Sequence, residues 1–290
     1  MLFHHEGGIM ELQEYKSKDP IAWCPGCGNF GILNAVKKSL AKLDQPPQKT
    51  LFVSGIGQAA KLPHYIRANC FNGLHGRALP VAAAAKMVNP DLQVIVDTGD
   101  GDCYGEGGNH FIHNIRRNID ITVIVHNNQI YGLTKGQASP TSEPGMKTKV
   151  QSNGVVLNRF NSLAVAIAAG CGFVARGFSR QIENLSNIIV EAIKYRGFSL
   201  VEVMQPCVSF NKINTYDWYA ERLYDVGESG SYDPNQLQTA LSKALEWGDK
   251  IPMGIIYNSP HKTYLEKLEF GNILVNQQNN DINGIFEDFA

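Results

Sequence analysis

Gly99-Asp100-Gly101-Asp102, with His126-Asn127-Asn128-Gln129-Ile130-Tyr131-Gly132 close behind it, is the stretch that decides the fold. Each part closes an apolar run: Val94-Ile95-Val96-Asp97 leads into the first, and Ile121-Thr122-Val123-Ile124-Val125 into the second. Between them lies a helix-like segment, 107–117, with Phe111 and Ile115 one turn apart. Strand, helix and strand predict a βαβ unit, whose two strands run parallel. Asp100 then stands at one strand end and Asn128, 28 residues later, at the next. Hard oxygen donors in that position suit Mg²⁺, which fills its octahedron with phosphate oxygens and water. The Asp100 and Asn128 side chains offer two ligands, and the carbonyl of Ile130 a third. Gly99, Gly101, Gly105, Gly107 and Gly108 permit close approach of a diphosphate to the following helix N-terminus. Taken singly, Gly-Asp-Gly-Asp and Asn-Asn read as turns. Two of them, each after an apolar strand and one helix apart, read as a binding site.

The alternation continues outward. Leu51-Phe52-Val53-Ser54-Gly55 and Leu200-Val201-Glu202-Val203-Met204 are further β-branched-rich runs, and 30–43, 81–87, 162–169 and 181–195 are helix-like. Apolar strands between helices predict an α/β fold, a mostly parallel sheet with helices on both faces. Such sheets bind ligands outside their C-terminal strand ends. Ser54-Gly55, Asp100, Asn128 and Gln205-Pro206-Cys207 all belong there. The signals thin towards the C-terminus, with a helix over 234–247, a late strand over 253–257 and a last helix over 262–268. Residues 277–283 are polar enough to be mobile. The expected organisation is one domain, 1–225, with a C-terminal extension, 226–290.

Charge excludes some functions. Twenty-six Lys and Arg against 27 Asp and Glu leave a net charge of −1, which gives nucleic acid or an anionic membrane no hold. No apolar run reaches spanning length, and Met1-Leu2-Phe3-His4-His5-Glu6 lacks a signal-peptide pattern, so a cytoplasmic protein is expected. Six cysteines in 290 residues, two of them in Cys24-Pro25-Gly26-Cys27, argue for metal or redox use over a disulfide framework. A lone Cys-x-x-Cys fits a dithiol redox pair, half a zinc site or half an iron–sulfur site. Cys207, at a strand end, is the third thiol of interest.

Gly-Asp-Gly followed by Asn-Asn resembles the thiamine diphosphate motif, in which Asp100 occupies the acidic position ahead of its neighbour Asp102. The resemblance widens when the motifs are taken in order. They are Trp23-Cys24-Pro25-Gly26-Cys27-Gly28-Asn29, Ser54-Gly55-Ile56-Gly57, Leu74-His75-Gly76-Arg77 and Gly99-Asp100-Gly101-Asp102. Tyr131-Gly132-Leu133-Thr134-Lys135-Gly136-Gln137-Ala138-Ser139-Pro140-Thr141 and Gln205-Pro206-Cys207 follow. Together, over roughly residues 16–225, they resemble the β subunits of 2-oxoacid:ferredoxin oxidoreductases.

That resemblance implies thiamine diphosphate, Mg²⁺ and one 4Fe–4S cluster. It also implies oxidative decarboxylation of a 2-oxoacid, or its reverse, with coenzyme A taking the acyl group and ferredoxin the electrons. Three family cysteines map onto Cys24, Cys27 and Cys207. The fourth follows Gly-Ile-Gly, where this chain has Gln58, and Cys70 is the expected substitute if the intervening loop folds back. Gly57, His75 and Gly76 are implied cofactor contacts. Lys61 and Lys135, on loops after strand ends, are implied to line the substrate pocket beside His75, and a second cation there suits a dicarboxylate such as 2-oxoglutarate. The pyrimidine-binding domain does not fit in this chain and is expected on an α subunit, in an αβ or (αβ)₂ assembly. The rivals are a pyruvate-specific member, a thiamine-dependent non-oxidative decarboxylase subunit and an iron–sulfur electron carrier.

Overall fold

The computed structural model describes residues 11–228 and 230–268. Two expectations, the mobile stretch 277–283 and the signal-free N-terminus 1–6, fall outside them. The first half of the chain builds α1 (Asn29–Lys42), β1 (Thr50–Ser54), β2 (Asn69–Asn72), α2 (Ala78–Val88), β3 (Gln93–Gly99), α3 (Gly108–Arg117) and β4 (Ile121–Asn127). A small hairpin follows, β5 (Ile130–Tyr131) and β6 (Gln137–Ala138), then α4 (Ser162–Ala168), β7 (Phe173–Phe178), α5 (Ile182–Lys194) and β8 (Phe198–Met204). The chain goes on through α6 (Tyr216–Ala220), β9 (Leu223–Asp225), α7 (Leu237–Leu245), β10 (Ile251–Asn258) and α8 (Tyr264–Leu268).

Eight strands form one sheet in the order β2-β1-β3-β4-β8-β7-β10-β9. The pairs from β2 through β7 are parallel, while β10 joins β7 antiparallel and carries β9 parallel to itself. The strand expected over 253–257 is therefore part of the main sheet. Alternate strand residues feed two cores, as a sheet covered on both faces requires. Val53, Val94, Val96, Val123, Val125 and Leu200 pack with Phe111 and Ile115 of α3 on one face. Phe52, Ile95, Ile124, Val201 and Val203 pack with Ile32 and Val36 of α1 and Leu185 and Ile189 of α5 on the other. At about 25 cal/mol per Å² of apolar area, these side chains dominate the stability. No helix among the described residues is long and apolar enough to cross a membrane.

One expectation fails in an instructive place. The loop expected to bring Cys70 back to the strand ends is a 3₁₀ helix, Ala59–Tyr65, followed by the edge strand β2. β2 pairs with β1 from Leu51↔Asn69 to Ser54↔Asn72, so Cys70 sits opposite Phe52 in mid-strand. Side-chain amides pin it there. Asn69 donates to the carbonyls of Gln48 and Thr50, and Asn72 to Ser54 Oγ and the carbonyl of Gly55.

Candidate functional site

Three strand ends meet around one cavity. It is lined by Gly57, Gln58 and Ala59 after β1, by Gly99 to Asp102 after β3, and by Asn128 and Ile130 to Thr134 after β4, with His75 at its side. Gly57, His75, Gly99, Asp100, Gly101, Asp102, Asn128 and Ile130 of the proposed cradle line it, whereas Gly105, Gly107 and Gly108 do not, and Gly76 reaches it only through its bond to Asp102.

The two acids have different duties. Asp102 is 3% exposed and occupied on all sides. Its Oδ1 accepts from the backbone N–H of Ile56 at 3.1 Å and of Gly76 at 2.7 Å, and stands 2.8 Å from His75 Nδ1. Its Oδ2 accepts from Thr98 Oγ1 at 2.6 Å. Asp102 thus ties the loops after β1 and before α2 to the end of β3. A Cβ on Gly55 would lie 2.1 Å from Asp102 Oδ2, which is why glycine is required there.

Asp100, also buried, is met by two hydroxyls at one oxygen. The hydroxyls of Ser139 and Thr141 both lie 2.5 Å from Oδ2. Burial pushes its carboxyl up to about 6, while the two hydroxyls pull it down. Thr141 Oγ1 also stands 2.8 Å from Asn127 Oδ1, and Asn127 Nδ2 donates to Glu202 Oε1 at 3.1 Å. Burial would push Glu202 up, but Arg176 and Arg159, with Ser162, hold it below the usual carboxylate range. A charged, fully buried ion pair, Arg176–Glu202 at 3.1 Å, therefore underpins the end of β4.

Asn128 is fixed at three atoms. Its Oδ1 accepts from Ile130 N–H at 3.0 Å, its Nδ2 donates to Gln205 Oε1 at 3.0 Å, and its carbonyl accepts from Asn211 Nδ2 at 3.1 Å. The amide is thereby fixed with Oδ1 accepting one hydrogen bond and keeping a second lone pair. Asp100, Asn128 and the Ile130 carbonyl fit Mg²⁺ and its diphosphate. Two of the glycines also make room for a ring. A Cβ on Gly101 would meet Tyr131 Cε1 at 2.2 Å and one on Gly105 the Tyr131 hydroxyl at 2.3 Å, so their close approach is to a packed ring.

The thiols gather on the far side of Asn128. Cys27 has Cys207 and Cys24 as electrostatic neighbours, and burial first, then those two, push its thiol up to about 11. Ser209 Oγ lies 3.2 Å from Cys24 Sγ, and Gln205 Nε2 donates to Cys27 Sγ at 3.5 Å. Gln205 therefore touches both regions, through its oxygen to Asn128 and through its nitrogen to Cys27. Gln58 comes near the cysteine loop by its carbonyl, which accepts from Trp23 Nε1 at 2.8 Å, while its side chain lines the cofactor cavity. Cys70 does not join the group, because β2 is four strands from β8 and Cys70 is exposed on its edge. Among the described residues no set of three His, Cys, Asp or Glu is placed to hold a single ion. The residues fit an iron–sulfur group with three thiolates and do not supply the fourth.

Lys61 is half-buried in the 3₁₀ helix and Lys135 is exposed in the hairpin turn, each next to a lining segment without lining the cavity itself. Lys135 holds φ 76°, a left-handed conformation rare outside glycine. Sequence reasoning assigned no role to Ser139, Thr141, Tyr131 or Gln205, although all four stand in the motifs; two hydroxyls flanking Pro140 were the available signal.

Comparison with known proteins adds three findings. Residues 50–203 match the C-terminal TPP-binding domain of thiamine pyrophosphate enzymes, and residues 207–271 the C-terminal part of the pyruvate ferredoxin oxidoreductase β subunit. The chain is 46% identical over 258 residues to the 2-oxoacid:ferredoxin oxidoreductase subunit beta of Saccharolobus solfataricus, covering 85% of each. It is 41% identical over 199 residues to the 2-oxoglutarate oxidoreductase subunit KorB of Mycobacterium tuberculosis, covering 69% of this chain and 53% of that one. Among solved structures it matches a 2-oxoglutarate:ferredoxin oxidoreductase from Magnetococcus marinus with 2-oxoglutarate, coenzyme A and succinyl-CoA bound. That match has a TM-score of 0.89 at 34% identity, over 99% of this chain and 98% of that one.

Proposed function

This chain belongs to the β subunits of the 2-oxoacid:ferredoxin oxidoreductases, and from that premise we propose that it is the cofactor-holding half of an enzyme acting on 2-oxoglutarate. The observation that carries the reading is the convergence of Asp100, Asn128 and Ile130 on one cavity at adjacent strand ends. Asp100, the Asn128 side chain and the Ile130 carbonyl are the residues that would hold Mg²⁺ with the diphosphate of thiamine diphosphate. Bound there, thiamine diphosphate supplies the carbanion that attacks a 2-oxo carbon. The protein's part is to bind, orient and exclude water. Tyr131, packed over Gly101 and Gly105, closes one wall, and His75, held 2.8 Å from Asp102, presents its ring to the cavity.

In this reading an α subunit contributes the partner for the aminopyrimidine ring. The apolar groove beside the cradle suits that closure: Tyr131, Pro140 and Phe160 line it, and Val156 and Leu157 are 89% and 74% exposed at it. Coenzyme A and ferredoxin are the acceptors, in the cytoplasm. Lys61 and Lys135, from the flanking loops, bring positive charge to a distal carboxylate. Lys61→Met or Lys135→Met should then lower catalytic efficiency on 2-oxoglutarate by roughly ten- to a hundredfold more than on pyruvate, the loss of a charge-assisted contact of about 1.5–3 kcal/mol. Steady-state assays of the purified αβ complex with pyruvate, 2-oxobutyrate and 2-oxoglutarate test the reading. A preference for pyruvate would replace the dicarboxylate assignment with the pyruvate-specific one.

A further inference from the structure

All six cysteines lie among the described residues, and Cys24 and Cys207 are the two that neighbour Cys27 electrostatically. Cys171 is fully buried and donates to the carbonyls of Phe173 and Phe198. Cys103 is buried in the core beneath the cofactor loop, beside Val53 and Phe111. Cys70 lies opposite Phe52 in mid-strand on the edge of the sheet. Its strand is four positions from β8, roughly 19 Å across the sheet at about 4.8 Å per strand. Cys207, by contrast, lies beyond the C-terminal end of β8. A single cluster cannot bridge those two places.

Position 58 is where a thiol would complete the set, since its backbone is tied to Trp23, the residue before Cys24, at 2.8 Å. Glutamine brings no sulfur there. Its Oε1 is buried without a hydrogen-bond partner among the described residues, a donor atom left unused by the protein.

We propose that this chain holds its iron–sulfur group through three thiolates, Cys24, Cys27 and Cys207, so that one iron carries an oxygen ligand from solvent. The inference rests on the proposed function for the presence of the cluster and departs from it on the fourth ligand. An iron without a thiolate is the one released on oxidation. The change is [4Fe–4S]²⁺ to [3Fe–4S]⁺ plus Fe²⁺ plus one electron, the electron going to an added oxidant such as ferricyanide.

The test uses the purified αβ complex, iron analysis and electron paramagnetic resonance before and after stoichiometric ferricyanide. The wild type should lose one iron in four and gain the signal of a three-iron cluster, and Cys70→Ser should do the same. Gln58→Cys, a gain of ligand that a folding defect cannot mimic, should keep four irons and stay silent. Gln58→Ala should match the wild type, since the Gln58 side chain lines the cofactor cavity; faster loss of iron from it would overturn the solvent ligand. Retention of four irons by the wild type, or loss of the cluster in Cys70→Ser as complete as in Cys24→Ser, overturns the three-thiolate assignment. A wild type that binds thiamine diphosphate yet contains no iron overturns the iron–sulfur reading itself.

Discussion

The cradle around Asp100 and the loop around Cys27 lie on either side of Asn128, and they are built in opposite ways. In the cradle Asp100 and Asp102 are buried, Asn128 is half-buried, and their side chains are already partnered: Asp102 by four groups, Asn128 by two, Asp100 by two hydroxyls among others. In the thiol loop Cys24 is exposed, Cys27 and Cys207 are half-buried, and two side-chain contacts reach sulfur. A small, hard cation demands near-octahedral geometry, so the fold must set its ligands in advance. Thiolates are ionised and drawn together by the metal they bind, so much of that order arrives with the metal. Gln205 is where the two schemes touch.

Asp100→Ala gives the largest expected effect. Losing a direct ligand should weaken thiamine diphosphate binding by more than about 100-fold, beyond the 10- to 100-fold usual for groups that only support a ligand, as read by an equilibrium binding titration. Asp102→Asn acts on the fold instead. It weakens the bonds that join three loops and should destabilise the protein by about 1–3 kcal/mol in denaturant unfolding. If Asp102→Asn instead abolished Mg²⁺-dependent binding and Asp100→Ala did not, the division of labour between the two acids would be reversed.

Gln205 probes the contact between the regions. Gln205→Leu removes its bonds to Asn128 and to Cys27 and should weaken thiamine diphosphate about tenfold while also shifting the reduction potential of the proposed iron site. Gln205→Glu keeps an acceptor for Asn128 Nδ2 and loses the donor to Cys27 Sγ, so it should shift the potential and leave cofactor affinity near normal. Equal effects of both variants on affinity would mean that Gln205 does not orient Asn128. The smallest effect is that of pH. With Asp100 raised to about 6 by burial, a proton competes with the metal below that value, and Mg²⁺ affinity should fall about tenfold per unit. The sign for the metal-free fold is the opposite: it loses stability as the pH rises from 3.8 through about 6, where the buried carboxyl ionises.

Much of this was legible in the chain. Val94-Ile95-Val96 and Ile121-Thr122-Val123-Ile124-Val125 announce strands buried on both faces, and the Asp and Asn that end them have no comparable reason to be there except a ligand. β2 was not legible, because Asn69-Cys70-Phe71-Asn72 has neither apolar alternation nor a β-branched residue and is held by asparagine amides whose partners are distant in sequence. Missing that strand placed Cys70 in a loop it does not occupy. Ser139 and Thr141 were invisible for a similar reason: a hydroxyl acquires its meaning only when folding sets it 2.5 Å from Asp100. Gln58 stood out at once as a departure, yet only the path of β2 shows that Cys70 stands four strands away from β8.

One experiment weighs the two regions against each other: thiamine diphosphate binding under Mg²⁺ titration and iron content, both read on the same purified αβ complex, for the wild type, Asp100→Ala and Cys24→Ser. The wild type should carry both groups, Asp100→Ala should lose thiamine diphosphate and keep its iron, and Cys24→Ser should lose iron and keep thiamine diphosphate. Loss of both groups from either variant, or thiamine diphosphate bound undiminished by Asp100→Ala, would contradict two separately built sites joined at Asn128.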